Sequence, residues 1–311
     1  MPYLYIFIVI AANAIQSTLA SSGDRDSLYL NCLQRMARTR CSSTSQPETL
    51  SFFLELLRWS CHDNIKYECM HAITDYRIKD GQKVLQYYGK WPFTRFMGMQ
   101  EPASVLFSLI HLYTCWIGFR NCRERIRSRF PLKRAYLFCT IAGMHAWLWS
   151  ALFHARDRPW TEKGDYFAGA FSIIVNTVVC IARVFDLSTT GFGILLAVSI
   201  LYFVFHVLYL TSGPFDYGYN VASMAIWGII GCMTWLGWYW RHYKRYYAWR
   251  AGVVAIGLPL CMSLEVWDFP PWKGVLDAHA IWHGITWPFG LLLYEFFIVD
   301  ANYESTMLRN D

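Results

Sequence analysis

The stretch that decides the fold is LDAHAIWHGITWPFGLLLYEFFI, residues 276–298. It has the length of a bilayer helix, which needs about 20 mostly apolar residues. Its first turns nevertheless carry Asp277, His279 and His283. Two histidines at positions i and i+4 lie on one face of a helix. Because ionisable groups are costly in a membrane and are generally functional there, this stretch predicts a membrane helix with a chemical site at its beginning.

Six further apolar stretches of about the same length precede it. They run from Pro102 to Phe119, Ala135 to Phe153, Tyr166 to Val184, Gly191 to Thr211, Val221 to Trp240 and Ala251 to Trp267. Of the 311 residues 55% are hydrophobic and only 16% charged, against about 25% charged in soluble chains. The basic residues behind the net charge of +6 lie between apolar runs, which argues against a nucleic-acid partner. The sequence predicts an all-α membrane protein with a bundle of seven transmembrane helices over residues 101–298.

The N-terminal hundred residues divide into two parts. Residues 1–20 resemble a secretory signal peptide, with an apolar run and a small residue at Ala20. An uncleaved anchor is the alternative, because no Lys or Arg precedes the apolar run. Residues 21–100 are polar and have no apolar run of about 18 residues, so we expect them to fold in water on the luminal side.

Four cysteines lie in this polar segment, at Cys32, Cys41, Cys61 and Cys69. An even number in a small translocated segment predicts two disulfides, and their pairing has three possibilities. The alternative is a zinc knuckle that includes a nearby histidine, but the spacings form no paired C-x-x-C units. We therefore predict a small disulfide-containing N-terminal luminal domain.

Basic residues predict the orientation of the bundle. Twelve Lys and Arg residues lie after the first, third and fifth spans, against four in the opposite loops. Cytoplasmic loops collect Lys and Arg, so the N-terminal domain is predicted to be luminal and residues 299–311 to form a cytosolic tail. Cys122, in the first basic loop, is expected to be a reduced thiol, with palmitoylation as the alternative.

Five polar residues are predicted to meet at the luminal ends of the spans. They are Ser150 and His154 of the second span, Asp165 of the third, and His279 and His283 of the seventh. His145 is excluded because its spacing from His154 places it on the opposite helix face. His206 is the only histidine of the fourth span, and we interpret it as a residue that forms a hydrogen bond to a neighbouring helix.

Three neutral imidazoles with one open position form the ligand set of a catalytic Zn²⁺ site. Asp165 could then take a proton from the attacking water, and Ser150 could donate a hydrogen bond to a developing oxyanion. One alternative is a set of separate hydrogen bonds between helices. Another is a Ser150–His154 nucleophile pair, which would leave His279 and His283 without a role.

Several longer motifs resemble a known family. They are Gly89-Lys-Trp-Pro-Phe93, Gln100-Glu-Pro-Ala-Ser104, Ser150-x-x-x-His154, Glu162-Lys-x-Asp165-Tyr-Phe167, Phe215-Asp-Tyr-Gly-Tyr-Asn220, Asp268-Phe-Pro-Pro271 and Asp277-Ala-His-Ala-Ile-Trp-His283. With them, the chain resembles the Per-one-like family of glycosylphosphatidylinositol (GPI)-specific phospholipases of A2 type. That family is similar to the alkaline ceramidases and the progestin and adiponectin receptors, which have seven helices around zinc.

The resemblance implies a hydrolase that removes the sn-2 acyl chain from GPI-anchored proteins and leaves lyso-GPI. It implies zinc on His154, His279 and His283, with Asp165 as the acidic partner and Ser150 as the serine. It also implies a multi-pass Golgi membrane protein, with the endoplasmic reticulum as the alternative. We further expect Lys90, Trp91 and Glu101 to contact the lipid head group near the membrane surface.

One departure from the family lies in the luminal segment. Relatives usually have six cysteines there, and the two missing positions hold Met36 and Asn64. Two alternatives to the lipase remain open from the sequence. One is a ceramidase-like amide hydrolase, and the other is a non-catalytic seven-helix receptor with structural zinc. Acyl transfer to an acceptor other than water is also open.

Overall fold

The computed structural model describes residues 21–41 and 49–307, so the predicted signal peptide lies outside the described residues. Ten α-helices fill most of this part of the chain. They are α1 Ser27–Arg40, α2 Phe52–Leu56, α3 Cys61–Lys79, α4 Pro102–Arg125, α5 Lys133–Ala155, α6 Pro159–Val184, α7 Thr189–Thr211, α8 Tyr217–His242, α9 Trp249–Met262 and α10 Ala278–Met307. Two short 3₁₀ helices, Ser22–Arg25 and Ser263–Trp267, complete the set.

Polar caps fix where several helices begin. The carboxylate of Asp26 accepts from the backbone N–H groups of Leu28 and Tyr29 at 2.8 and 3.2 Å. At the start of α10, Asp277 accepts from the N–H of Ala280 at 2.8 Å. Such caps satisfy N–H groups that have no partner within the helix. Asp277 therefore sets the helical register that carries His279 and His283.

Six helices of the described chain, α4 to α8 and α10, are long and apolar enough to cross a membrane. The sixth predicted span is shorter: α9 has 14 residues, with Pro259 inside it, and the 3₁₀ helix follows. Proline removes a backbone donor and clashes with the preceding turn, which favours an early end of the α-helix. At about 1.5 Å per residue α9 covers about 21 Å, against a hydrocarbon core of about 30 Å. A seventh crossing therefore stays a prediction.

Three predicted boundaries differ from the structure. The helix α4 continues to Arg125, so Cys122 lies in its last turn and is fully buried; the alternative of palmitoylation at an exposed loop is therefore wrong. Proline at the first position of α6 starts that helix at Pro159, which shortens the preceding turn. The helix α10 continues to Met307, so most of the predicted tail is helical.

The bundle is centred on α4, α5, α6 and α10. The helix α4 packs against α5 and α10, α5 packs against α6, α6 packs against α8, and α9 fills the space between α8 and α10. Aromatic residues fill the core, where the rings of Tyr136 and Phe297 stack with centroids 4.1 Å apart. The helix α7 contacts mainly α6 and is largely exposed, as expected for a helix that faces lipid.

A buried ion-pair network ties the helices at the end of the bundle away from His279. Asp300 of α10 is fully buried and accepts from Arg183 of α6 at 2.6 and 2.9 Å. Glu304 accepts from Arg183 and from Arg245, which follows α8. Asp300 lies 21 residues after His279, which is about 32 Å along a helix. Charges buried at this depth need such pairing, because an unpaired one would be strongly destabilising.

The N-terminal domain has a small core of its own, formed by Tyr29, Ile65, Cys69 and Tyr87. The two predicted disulfides are confirmed, and the structure selects one pairing: Cys32–Cys69 and Cys41–Cys61. Both join α1, or its end, to α3. A domain of this size cannot bury enough apolar surface to be very stable, and such cross-links compensate by restricting the unfolded chain.

Met36 and Asn64, the two positions where the family resemblance implied further cysteines, pack or form hydrogen bonds. The Met36 sulfur lies 3.5 and 3.7 Å from the sulfurs of Cys69 and Cys32. Asn64 is buried, accepts from Arg95 at 2.7 Å and donates to Glu68 at 2.8 Å. Met36 therefore packs against a disulfide, and Asn64 forms hydrogen bonds.

Candidate metal centre

The candidate site lies where the end of α5 meets the beginnings of α4 and α10. The N–H groups of Gln100 and Glu101 donate to the carbonyls of Ala155 and His154, both at 3.0 Å. These bonds satisfy carbonyls at the end of α5 that have no partner within the helix. They also fix the segment leading from the N-terminal domain directly against His154.

The three predicted histidines lie together. Nε2 of His279 is 3.4 Å from Nε2 of His154 and 3.0 Å from Nε2 of His283. The ligand nitrogens of all three rings lie within 4.8 Å of one another. Tetrahedral zinc with Zn–N bonds of about 2.0–2.1 Å separates its nitrogen ligands by about 3.3 Å. The spacing therefore fits a single metal ion.

Glu101 adds a feature typical of metal sites. The Nδ1–H of His154 donates to Oε2 of Glu101 at 2.7 Å, and both side chains are buried. This bond leaves the lone pair of His154 on Nε2, which faces the other two rings. Metal-binding histidines almost always have such a carboxylate or carbonyl behind them, which fixes the tautomer and raises the basicity of the ligand.

Lys90 completes this arrangement from the N-terminal domain. Its ammonium pairs with Glu101 and, at 3.1 Å, with Asp157. Burial alone would lower the pKa of Lys90, but the two carboxylates outweigh it and raise that pKa. Burial alone would raise the pKa of Glu101, but Lys90 and His154 hold it well below its usual value. Both groups are thus kept charged. The sequence-based expectation placed them against a lipid head group, whereas here they contact each other.

Ser150 and Asp165 flank the three rings. Ser150 lies one turn before His154, is buried, and has its hydroxyl 3.0 Å from the hydroxyl of Ser108. Asp165, in the second turn of α6, interacts electrostatically with His154 and His279. Trp91, the remaining predicted contact, donates through its indole N–H to Asp268. That bond turns it towards the loop before α10.

Sequence reasoning missed two residues of α4. One is Ser108, and the other is His111, whose Nε2 lies 3.1 Å from the carbonyl oxygen of His283 and 3.2 Å from the hydroxyl of Thr286. The His111 ring also stacks on Trp147 with centroids 3.6 Å apart. Ser104, Ser108 and His111 follow the i, i+4, i+7 spacing of one helix face. This polar face in an apolar span is the sequence feature that could have identified Ser108 and His111 as part of the site.

The two histidines excluded from the site lie elsewhere. His145 is exposed on α5 and accepts a hydrogen bond from the Trp149 indole at 3.0 Å. His206 is buried in α7 with Nδ1 3.5 Å from the hydroxyl of Ser223 on α8. The contact between His206 and Ser223 is the hydrogen bond between helices that the sequence predicted.

An apolar cavity of about 330 Å³ lies between α6, α8, α9 and α10. Its lining includes Met224, Gly228, Leu258 and Trp282. The Trp282 ring centroid is 4.9 Å from that of His283 and 5.6 Å from that of His279, so one side chain of the cavity wall packs against the site. Within the described chain the buried indole N–H of Trp282 has no hydrogen-bond partner.

Fold and site together define a polytopic helical membrane protein with a candidate three-histidine metal centre at one end of its bundle. The profile of the Per1-like family matches residues 51–301, and the chain belongs to that family. No solved structure matches the chain.

Curated relatives resemble the chain over nearly its whole length. The GPI-specific phospholipase A2-like PGAP3 of Xenopus tropicalis is 35% identical, with 100% of this chain and 98% of the relative covered. Post-GPI attachment to proteins factor 3 of Drosophila melanogaster is 34% identical, with 94% and 93% covered. The PER1 homolog of Schizosaccharomyces pombe is 33% identical, with 98% and 94% covered.

Proposed function

We propose that this protein remodels GPI anchors by hydrolysing the sn-2 acyl ester of GPI-anchored proteins, with Zn²⁺ held by His154, His279 and His283. The observation that carries the proposal is the convergence of three imidazole nitrogens, one of them backed by the carboxylate of Glu101. The names of the relatives, which refer to GPI attachment and to a phospholipase A2-like protein, support the choice of substrate.

The chemistry divides between the ion and the chain. Bound zinc would act as a Lewis acid towards the ester carbonyl and lower the pKa of a water molecule to about 7. Asp165 would accept the proton of the attacking water and return it to the departing sn-2 oxygen. Water thus adds to the carbonyl, the ester C–O bond breaks, and the products are a free fatty acid and lyso-GPI.

Ser150 would donate a hydrogen bond to the oxyanion that forms at the carbonyl. Its hydroxyl is buried one turn from His154, and Ser108 fixes its direction. A preorganised donor in a site sheltered from water stabilises developing charge more strongly than water does. His111 would act on the site indirectly, because it holds the backbone of His283.

The position of the site suits a lipid substrate. The three histidines lie at the ends of membrane-length helices, next to the disulfide-bonded domain. A glycerolipid ester lies near this depth, just beneath the head group, and the apolar cavity beside Trp282 offers room for an acyl chain. With the luminal orientation predicted from basic residues, the protein would act on the luminal leaflet, in the Golgi or alternatively in the endoplasmic reticulum.

Metal removal tests the proposed reaction. We expect the purified full-length protein to contain about one zinc per chain and to release fatty acid from a GPI-anchored protein. Because the ion would supply both the nucleophile and the Lewis acid, a strong chelator should lower that release by more than about 100-fold. Added zinc should restore it. Metal content, free fatty acid and lyso-GPI are measured on the same samples.

Three outcomes would count against this function. Full activity in protein that contains no metal would remove the zinc mechanism. Release of fatty acid from ceramide but not from the GPI-anchored protein would support the amide hydrolase. Bound zinc without release from either lipid would support a receptor with structural zinc.

A second prediction concerns the apolar cavity. Gly228 lines it, and a Cβ atom added there meets nothing within 4 Å. We therefore expect Gly228→Leu to fold normally and to fill part of the cavity. If the cavity holds the acyl chain, activity on long-chain substrates should fall about tenfold, whereas short-chain substrates should be hydrolysed within about twofold of wild type.

Gly237→Leu is the matched control for this prediction. Gly237 lies on the same helix, and a Cβ atom added there also meets nothing within 4 Å, but it lines a separate groove beside Arg241. The ratio of long-chain to short-chain rates is measured for both variants. An unchanged ratio in Gly228→Leu would exclude the cavity as the acyl site.

A further inference from the structure

A second, polar cleft of about 220 Å³ lies between the N-terminal domain and the end of the bundle. Its lining combines aromatic rings with charged side chains. Trp59, Tyr67 and Tyr88 contribute rings, while Lys66 and Arg156 contribute positive charge. Planar rings stack on the C–H faces of sugars and cyclic polyols, and Lys and Arg bind phosphate. The chemistry of the cleft therefore fits a phosphorylated polyol or sugar.

Tyr88, which lines this cleft, has an unusual backbone conformation. Its backbone has a φ of 53°, in the left-handed region that bulky residues rarely adopt. A tight turn fixes it, with reciprocal backbone bonds between Tyr87 and Lys90 at 2.8 and 3.0 Å. Its N–H donates to Asp24 at 2.6 Å, yet 53% of the side chain is exposed. Strain of this kind persists where the surroundings impose it, and it clusters at functional sites.

Lys66 is the cation of the cleft that remains available. Arg156 is paired with Asp63 at 2.7 Å, and Lys90 is paired with Glu101 and Asp157. Lys66 is exposed, and its ammonium lies over one face of the Tyr88 ring, 4.8 Å from the ring centroid. Within the described ranges it forms no ion pair. One unpaired ammonium beside one exposed ring is a suitable arrangement for a phosphorylated ring.

The cleft is connected to the metal centre by a short path. Lys90 lines the cleft and pairs with Glu101, and Glu101 holds His154. In a glycerophospholipid, only the glycerol unit separates the head-group phosphate from the sn-2 ester. A lipid with its ester at the three histidines would therefore extend its head group into this cleft.

We propose that this cleft binds the phosphoinositol-glycan head group of the GPI anchor, with a ring of the head group on Tyr88 and its phosphate at Lys66. The inference rests on the proposed function, because it uses the same lipid. It assigns recognition of the head group to Lys66 and Tyr88, rather than to Lys90 and Glu101, which are occupied with each other.

The test compares Lys66→Glu and Tyr88→Ala with two matched controls, Lys79→Glu and Tyr76→Ala. The control residues are exposed on the same helix as Lys66 but do not line the cleft. We expect the KM for a GPI-anchored protein to rise about tenfold in each cleft variant, which corresponds to about 1.4 kcal/mol. The kcat should stay within about twofold, and both controls should behave as wild type.

Binding without turnover separates this inference from the proposed reaction. The His279→Ala variant should bind a fluorescent GPI-anchored protein as wild type does, and Lys66→Glu in that background should weaken binding about tenfold. If His279→Ala hydrolyses the lipid normally, the proposed reaction fails while the cleft can still bind. If neither cleft variant changes binding or KM, the cleft inference fails while the reaction can still stand.

Soluble competitors identify the part of the head group that is recognised. myo-Inositol 1-phosphate should displace the fluorescent GPI-anchored protein from wild type, and inorganic phosphate at the same concentration should not. Equal displacement by the two would contradict a role for the Tyr88 ring. Equal effects of the cleft variants on phosphatidylinositol vesicles and on GPI-anchored protein would place recognition at the inositol phosphate that the two lipids share. A loss confined to GPI-anchored protein would place recognition at the glycan and would contradict the assignment of the phosphate to Lys66.

Discussion

Replacing His279 with alanine should lower the release of fatty acid from a GPI-anchored protein by more than about 100-fold, because loss of only a hydrogen-bond partner of a metal ligand typically costs about 10- to 100-fold. The variant removes the ring that lies between the other two, with Nε2 atoms 3.4 and 3.0 Å away. Zinc content should fall together with activity. Both quantities are measured on protein whose helical content and migration match wild type.

His145→Ala is the control for this substitution. It removes a histidine from α5, the helix that carries His154, but from an exposed face where it contacts Trp149. Activity and zinc content should remain at wild-type values. If instead His279→Ala retained full activity, the three-histidine site would have no part in the reaction.

Replacing Glu101 with glutamine should weaken zinc binding by about 10- to 100-fold without abolishing it. Glutamine keeps the shape of the side chain and can still accept from Nδ1–H of His154, but it removes the negative charge that makes the imidazole a better ligand. Lys90 would lose one of its two carboxylate partners. Zinc affinity is measured by competition with a chelating dye, and activity is then measured at limiting and at saturating zinc.

Saturating zinc should recover most of the activity of the Glu101→Gln variant, because the three ligands remain. Glu295→Gln is the control, since it removes a carboxylate that pairs with Arg125 at the other end of the bundle. An unchanged zinc affinity in Glu101→Gln would show that this carboxylate is not a partner of a metal ligand. A loss of activity that zinc could not restore would instead assign it a direct role in the reaction.

The sequence predicted the features that depend on local pattern. Apolar length located the membrane helices, and the i, i+4 spacing placed His279 and His283 on one face. The even number of cysteines predicted two disulfides. These inferences succeed because helical geometry and hydrophobicity are properties of neighbouring residues, which a single sequence displays directly.

Other features depend on contacts between distant segments. Glu101 was considered only as a head-group contact, because nothing nearby in the sequence shows that it faces His154. Likewise, the partners of His111 lie on α10, and the sequence alone does not show that α4 packs against α10. The disulfide pairing depends on how α1 crosses α3. The short α9, which has Pro259 inside it, lies in an apolar run whose hydropathy alone does not show where the α-helix ends.

The backbone bonds from Gln100 and Glu101 to the end of α5 have a consequence for how the molecule matures. They join the segment that leaves the disulfide-bonded domain to His154, so the position of this candidate ligand depends on both parts of the chain. We therefore expect a chain in which the two disulfides have not formed to bind zinc more weakly at the candidate site. A chimera that joins the helical portion to an unrelated luminal domain should show the same loss.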